Sequence, residues 1–379
     1  MNVPSPLSNL RQRVVMPRLN RPDPWLLMAA AGLAGLGIVM VFNASYFHAQ
    51  ERYADPLIFF RKHLVAVACG TTLLILVSHV RLEWFDRIAY PALIGIMLLL
   101  VLVLVPGVGV ARGGARRWIG VGPFNFQPSE FAKMVVVLYL ARSIVHRRER
   151  MAQFFAGVVP HLLVVGLCAL LVVAQPDFGT AAILVLVLAL MLFGGGARPA
   201  HLIGLALMAL PAVGFAVIRA PYRWRRILAF VDPWRYSQDI AFQLVQSLIA
   251  FGSGGITGVG LGESKQKMFY LPAAHTDFIF ALIGEELGFI GALAVLALFA
   301  VVGIRGFRIA LRHPDGFASM LALGITLVIL LEAVVNVGVV LGLLPTKGLA
   351  LPFLSYGGSA LIGTLVEVGI LASLSRMTG

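Results

Sequence analysis

Charge is what this sequence has least of. Only 12% of its 379 residues are Asp, Glu, Lys or Arg, while 59% are hydrophobic, and the mean hydropathy is +0.92. Soluble globular chains carry about 25% charged residues, so a soluble domain is excluded. Cysteine is nearly absent. Cys69 and Cys168 each lie near the middle of an apolar run, where they read as small packing side chains and not as a disulfide framework. A zinc-ligand spacing, a serine nucleophile elbow, a cofactor box and a visible internal repeat are also missing. "FGSGGITGVGLG" at 251–262 is rich in glycine, but it follows no expected strand and fits neither the dinucleotide fingerprint nor the phosphate loop. "DFG" at 177–179 has no kinase catalytic loop with it and matches that tripeptide by chance.

What the chain does have is a series of apolar runs that reach the ~20 residues needed to cross a bilayer as a helix. The reading is an all-α integral membrane protein with about ten transmembrane helices. The expected spans are 25–45, 58–79, 88–105, 128–145, 158–174, 177–193, 200–218, 277–302, 316–342 and 353–375. Residues 1–24 form a polar tail with Arg11, Arg13, Arg18 and Arg21, and the run that follows is too long for a cleaved signal peptide. Residues 25–379 then make one polytopic domain, with a long outer loop, 219–276, between helices 7 and 8. An even count puts both termini on one side. Arginines at 147–150 and at 305, 308 and 312 assign that side to the cytoplasm, although the 30 basic residues divide almost evenly across the membrane. Most of the outer ones sit in two loops, 106–127 and 219–276. Two readings of them stand: a ligand-binding set held against the topological preference, or a solvated face attracted to anionic headgroups. In the long loop, "RAPYRWRRILAFVDPW" mixes Arg with interfacial aromatics. "DIAFQLVQSLIAF" reads as a short interfacial helix with Gln243, Gln246 and Ser247 as its polar face.

The stretch "FYLPAAHTDFIFALIGEELGF", 269–289, gathers His275, Asp277, Glu285 and Glu286 at the mouth of an apolar segment. Ionisable groups there are costly and are functional candidates by default. Thr276 or Asp277 also suits the cap of the helix that follows. On one helix, Asp277 and Glu285 stand about 12 Å apart along the axis, and Glu286 takes the opposite face from Asp277. The close carboxylate pair of a retaining glycosidase is therefore excluded. Asp277 acts alone or with groups from other helices, and its half-buried position predicts a raised pKa, as a general base near neutral pH requires. In "FNFQPSEFAKMVVV", Glu130 and Lys133 share a helix face; they form a structural ion pair or line the same cavity as Asp277. "RGGARRWIG" sets Arg116, Arg117 and Trp118 on a flexible outer loop, where arginine suits phosphate oxygens and Trp118 suits a sugar face or the interface. Lys347 is the only charge between the last two spans, placed to snorkel or to meet a ligand. One carboxylate, several cations and aromatics on the outer face point to a transfer with a phosphate leaving group, the base activating a hydroxyl.

"GARRWI", "FQPSEFAK", "QPDFGT", "LGESKQKMFYLPAAHTDFIFALIGEELGFIG" and "LPTKGLALPFLSYGGS" resemble motifs of the SEDS family (shape, elongation, division, sporulation), from the first span to the last. "GLGESKQKMFYLP" before "AHTDF" looks more like the cell-division branch than the elongation branch. The resemblance implies a ten-helix peptidoglycan glycosyltransferase of the bacterial cytoplasmic membrane. Its substrate would be lipid II, the undecaprenyl-pyrophosphate-linked disaccharide-pentapeptide, polymerised into septal glycan. It implies Asp277 as catalytic base and Arg117, Trp118, Glu130, Lys133, His275, Lys347 and Ser355 as substrate-binding positions. Where the family has a glutamate just before its histidine, this sequence has Ala273 or Ala274, a departure that argues against an essential acidic role there. The implied partners are a class B penicillin-binding protein acting as transpeptidase, other membrane proteins of the division complex and membrane lipid, with no nucleic acid. No cofactor is certain; a divalent cation, Mg or Mn, would help the pyrophosphate depart, yet no ligand set is evident. Two rival readings use the same cavity: a lipid II flippase, and a scaffold that only recruits the transpeptidase. A flippase needs a hydrophilic path throughout, and the spans 58–79 and 88–105 offer almost no mid-membrane polar groups, which favours the polymerase.

Overall fold

The computed structural model describes residues 21–112, 115–121, 124–219, 221–267, 271 and 274–377. Most of the expected N-terminal tail, and Ala273, lie outside the described residues. The elements are α1 (Pro24–Tyr53), α2 (Ile58–Val77), α3 (Leu82–Leu104), β1 (Gly109–Arg112), β2 (Ala115–Val121), β3 (Phe124–Phe126), α4 (Pro128–His146), α5 (Val159–Ala174), α6 (Phe178–Gly194), α7 (Pro199–Ile218), α8 (Pro221–Val231), α9 (Phe242–Gly254), α10 (Ile279–Arg312), α11 (Gly316–Val340) and α12 (Gly358–Ser375).

Helices dominate because a run of Leu, Ile, Val and Ala in lipid can satisfy its backbone only within itself. Seven helical segments are long and apolar enough to cross a membrane: α1, α2, α3, the segment Phe154–Ala174 that ends in α5, α10, α11 and α12. The other three expected spans fall short of that measure. α6 has 17 residues, the apolar part of α7 runs only Pro199–Pro211, and α4 carries Glu130, Lys133 and Arg142. Apolar side chains such as Leu98, Leu170 and Met208 are more than 60% exposed, the lipid-facing surface of such a bundle. The centre is built from α4, α11 and α12, where Val136, Leu140, Ile325, Ile329, Val368 and Leu371 are buried. α2 packs closely on α12 across Gly369, where a Cβ would stand 2.8 Å from the Leu74 carbonyl oxygen, a small-residue contact of the kind that joins membrane helices.

Both ends of the domain lie on one face. The Asp23 N–H donates to Ser375 Oγ at 3.0 Å, and the Asp23 carboxylate accepts from Arg305 Nε at 2.7 Å, near the far end of α10. The even number of crossings expected from the sequence requires this arrangement.

Three local structures differ from expectation. The 106–127 connection, expected to be flexible, contains an antiparallel sheet in the order β1-β2-β3. α9 does not present Ser247 to the interface: Ser247 is buried and donates to the Val340 carbonyl at 2.7 Å, because α9 packs against α10 and α11. α10 is broken at Gly288 (φ 67°, ψ −165°). The glycine-rich segment after α9 fills the break. Val259 and Gly260 donate N–H groups to the Glu285 and Glu286 carbonyls at 3.0 and 3.1 Å, and Phe289 and Ile290 donate to the Gly255 and Ile256 carbonyls at 2.9 and 3.1 Å. Irregular backbone persists inside a membrane protein only when its polar groups are matched in this way. Gly258 and Gly288 both adopt positive φ, and a Cβ on either would collide with the facing backbone, which explains the glycines.

Candidate active site

Asp277 stands in the turn before α10, not on the helix. The N-cap position is Phe278, so Asp277 is not the N-cap residue of α10. Neighbouring loops fix the turn through its backbone. Asn336 Nδ2 on α11 donates to the Asp277 carbonyl at 2.9 Å and to the Leu349 carbonyl at 2.6 Å. Ser355 Oγ donates to the Thr276 carbonyl, and the Tyr356 N–H donates to the His275 carbonyl at 2.9 Å. The Asp277 side chain is left half-buried. Burial pushes its carboxyl up to about 6, Asp177 adds to the rise and Arg117 opposes it. A carboxylate with such a pKa is matched to general-base work near neutral pH.

Arg117 comes from β2. Its Nε donates to the Gln175 carbonyl at 3.0 Å and Nη2 to the Pro176 carbonyl, with Nη1 4.0 Å from Asp177 Oδ1. Asp177 is buried and caps α6, accepting from the Thr180 N–H at 3.3 Å and the Thr180 hydroxyl at 3.0 Å. Burial raises the Asp177 carboxyl and Arg117 counters it. Trp118 is the next residue on β2 and pairs with Val110. Strand alternation turns it to the opposite face of the sheet from Arg117, so the two do not act as one unit.

Lys133 is committed elsewhere. It is 4% exposed, donates to Glu130 Oε2 at 2.6 Å and contacts Glu332 Oε1 on α11. The expected ion pair is present, with Glu332 as a second partner. Ser355 is buried, accepts from the Leu351 N–H at 2.8 Å and donates to the Thr276 carbonyl, which positions the loop. His275 is buried, with its ring centroid 5.0 Å from Phe59 and 5.5 Å from His48. Burial and then His48 push its imidazole down to about 4, so it is neutral at neutral pH. Glu285 and Glu286 also leave the site. Glu285 accepts from Ser264 Oγ and from the Lys265 N–H at 3.0 Å. Glu286 accepts from Asn43 Nδ2 and lies 3.4 Å from Lys267 Nζ. They fasten the 262–267 segment to α10 and α1.

Lys347 is half-buried. It precedes the exposed Gly348, where a Cβ would stand 2.8 Å from Asp277 Oδ2. Burial, then the Arg226 guanidinium, lower the Lys347 ammonium from its usual range. Among the described residues no three His, Cys, Asp or Glu side chains converge as metal ligands.

The family model described as "Cell cycle protein", covering FtsW, RodA and SpoVE, matches residues 24–379. The chain belongs to the FtsW/RodA/SpoVE family. It is 43% identical over 372 residues, 98% of this chain and 99% of the relative, to the "Probable peptidoglycan glycosyltransferase FtsW" of Geobacter metallireducens. A solved chain described under "Structural coordination of polymerization and crosslinking by a peptidoglycan synthase complex" is 31% identical, with a TM-score of 0.79 over 94% of this chain and 98% of that one. The crystal structure of Thermus thermophilus Rod shape determining protein RodA is 30% identical, with a TM-score of 0.70 over 94% and 97%. For this FtsW/RodA/SpoVE member, sequence reasoning passes over three polar residues that hold these elements in place. Asp177 stands at a helix start behind Pro176, Asn336 is a polar group inside a span, and Glu332 is a mid-span acid. The rule that intramembrane ionisable groups are suspect selects Glu332.

Proposed function

We propose that this protein is a peptidoglycan glycosyltransferase that polymerises lipid II for septal wall synthesis, with Asp277 as its general base. The observation that supports this most is the placement of Asp277: a half-buried carboxylate one residue before the N-cap of α10, with its pKa raised to about 6. In the proposed reaction Asp277 takes the proton of the acceptor GlcNAc 4-hydroxyl. That oxygen forms a bond to the donor MurNAc anomeric carbon, and the bond from that carbon to the pyrophosphate breaks, the electron pair leaving with the phosphate. Cations near Asp277 stabilise the departing charge. Arg117 is one of them, through its pull on Asp277. Lys133, paired and buried, instead holds α4 to α11. A divalent cation, Mg or Mn, would help the pyrophosphate depart.

The partner in this reading is a class B penicillin-binding protein, and the relative solved within a peptidoglycan synthase complex supports it. Both termini are assigned to the cytoplasm, with the loop that holds α8 and α9 outside. The deciding experiment is polymerisation of purified lipid II by the purified protein with its cognate transpeptidase. Glycan strands are expected from the wild type. If none form while lipid II crosses vesicle bilayers in its presence, the flippase reading replaces this one; if neither occurs, the scaffold does.

A further inference from the structure

Asp277 is held on two sides, and both holds lead to one nitrogen. Asn336 Nδ2 donates to the Asp277 carbonyl at 2.9 Å and to the Leu349 carbonyl at 2.6 Å. The first bond fixes the backbone that carries the carboxylate. The second fixes the segment facing it, because Leu349 follows Gly348, whose backbone lies against Asp277 Oδ2. The Leu349 N–H donates to the Lys347 carbonyl at 3.1 Å, which closes that segment into a tight turn. The Leu349 side chain is buried on Gly179, where a Cβ would stand 2.8 Å from Leu349 Cγ. Gly179 is two residues beyond Asp177, an acid that bears on Asp277.

A neutral amide suits this place. Its one nitrogen carries two hydrogens, enough for two carbonyls, whereas a hydroxyl carries one. An ammonium or guanidinium would bring a charge to a position that is 2% exposed, at high cost. Asn336 Oδ1 has no donor among the described residues. With nitrogen and oxygen exchanged, that oxygen would face two carbonyl oxygens, so the hydrogen bonds assign the orientation of the amide. A polar side chain kept inside a membrane helix at this cost marks a function. Glu332, one turn earlier on the same face of α11, pairs with Lys133 of α4, so the helix that carries Asn336 is itself held in register.

We propose that Asn336 is a positioning residue for the general base: it sets the gap between the Asp277 carboxylate and Gly348 by holding both from one amide. The catalytic consequence rests on the reading of Asp277 as the base; the clamp does not. The charges that bear on Asp277 are Arg117 of β2 and Asp177 before α6. Both have bonds of their own, to the Gln175 and Pro176 carbonyls and to Thr180, and stay when Asn336 is replaced. Lys347 adjoins Gly348, and Ser355 and Tyr356 reach the turn from the segment before α12. His275, two residues before Asp277, is neutral near pH 7. Burial is the largest cause of the raised Asp277 carboxyl, so a turn released to water lowers it.

Two measurements on the full chain in detergent test this. The first is labelling of Asp277 across pH by dicyclohexylcarbodiimide, which reacts with the protonated carboxyl, read by mass spectrometry. The second is kcat and KM for lipid II with the cognate transpeptidase present. Wild-type labelling should be half-complete near pH 6. In Asn336→Leu the midpoint should fall by about one pH unit. Its kcat should drop roughly ten- to a hundredfold with KM close to wild type, because a residue this buried does not touch substrate. Asn336→Gln keeps both donors and should recover part of each. Ser247→Ala removes another buried bond to α11 and should keep the wild-type midpoint and kcat. An unchanged midpoint and kcat in Asn336→Leu overturn the proposal. A uniform loss of rate at every pH, in step with loss of folded protein and with the midpoint still near 6, overturns it too and leaves Asn336 a purely structural tie. The same midpoint shift in Ser247→Ala would overturn it as well, since any loosening of α11 would then suffice. A shifted midpoint in Asn336→Leu, with no glycan made by the wild type, supports the clamp and removes the polymerase reading.

Discussion

The Asp277 carboxylate lies against the backbone of Gly348: a Cβ at position 348 would stand 2.8 Å from Oδ2. Gly348 does not have the positive φ found at Gly258 and Gly288, so glycine serves here for space and not for conformation. Gly348→Ala should therefore displace the carboxylate by a few tenths of an ångström while the fold persists. Small misplacements of a reacting group cost up to about a hundredfold in rate. We expect Gly348→Ala to slow lipid II polymerisation roughly ten- to a hundredfold with its melting temperature near wild type. An unchanged turnover would mean that the base does not need this open side.

Lys133 makes a different prediction from the one its motif invites. It is enclosed with Glu130 and Glu332, and removing one member of a buried ion pair costs about 3–5 kcal/mol because a charge is left unmatched. Lys133→Ala should lower the melting temperature and the amount of protein in the membrane, besides lowering activity. Lys133→Met combined with Glu332→Gln should regain much of the stability. A Lys133→Ala protein as stable as wild type would show that the pair is not structural.

Asp177 and Arg117 should move the pH profile in opposite directions. Asp177 raises the Asp277 carboxyl and Arg117 lowers it. Asp177→Asn retains a good N-cap for α6 but removes the negative neighbour, so the acid limb of the rate profile should shift to lower pH. Arg117→Gln should shift it to higher pH. Shifts in the same direction would show that these residues act on the rate through something other than the charge of Asp277.

The spans were readable because apolar runs in lipid have few alternatives: α11 was expected at 316–342 and is found at Gly316–Val340. Asp277 was readable for a related reason, as a costly charge at a helix mouth. Helix spacing separates Glu285 and Glu286 from Asp277, but their partners Ser264, Lys267 and Asn43 come from segments whose approach only tertiary packing creates. The start of α10 was placed two residues early for the same reason: Asn336 and Ser355 hold 276–277 in a turn. The sheet was hidden because its strands have 4, 7 and 3 residues, too short for alternation to stand out among glycines.

Topology has a direct test. Glu149 is exposed at the end of the domain that holds Asp23 and Ser375, and Gln238 is exposed in the long loop. In a Cys69→Ser background, Gln238→Cys should react with an impermeant thiol reagent in intact cells or spheroplasts, and Glu149→Cys should react only after lysis. The reverse pattern would invert the assignment of sides and place Asp277 in the cytoplasm.

The decisive residue is Asp277. Because Phe278 and not Asp277 is the N-cap residue of α10, Asp277→Asn and Asp277→Ala should both fold, insert and bind the transpeptidase. Loss of a positioned base lowers rates by about 10²–10⁴-fold, and both variants should fall in that range. The pH dependence follows from the raised carboxyl, about 6 against an ordinary 3.8. The wild-type rate should fall as pH drops through 6, as the base becomes protonated. Stability should run the other way. Between pH 4 and 6 the folded protein holds this proton more tightly than the unfolded chain, so stability declines as pH rises through that window. Asp277→Asn carries no charge to desolvate and should melt at or above the wild-type temperature at pH 7.5, with the gap closing by pH 4. Melting temperatures at the two pH values, read beside glycan synthesis, separate the two possible roles. An inactive variant of undiminished stability is what a general base predicts, whereas an Asn variant that polymerises lipid II at the wild-type rate would remove Asp277 from the chemistry.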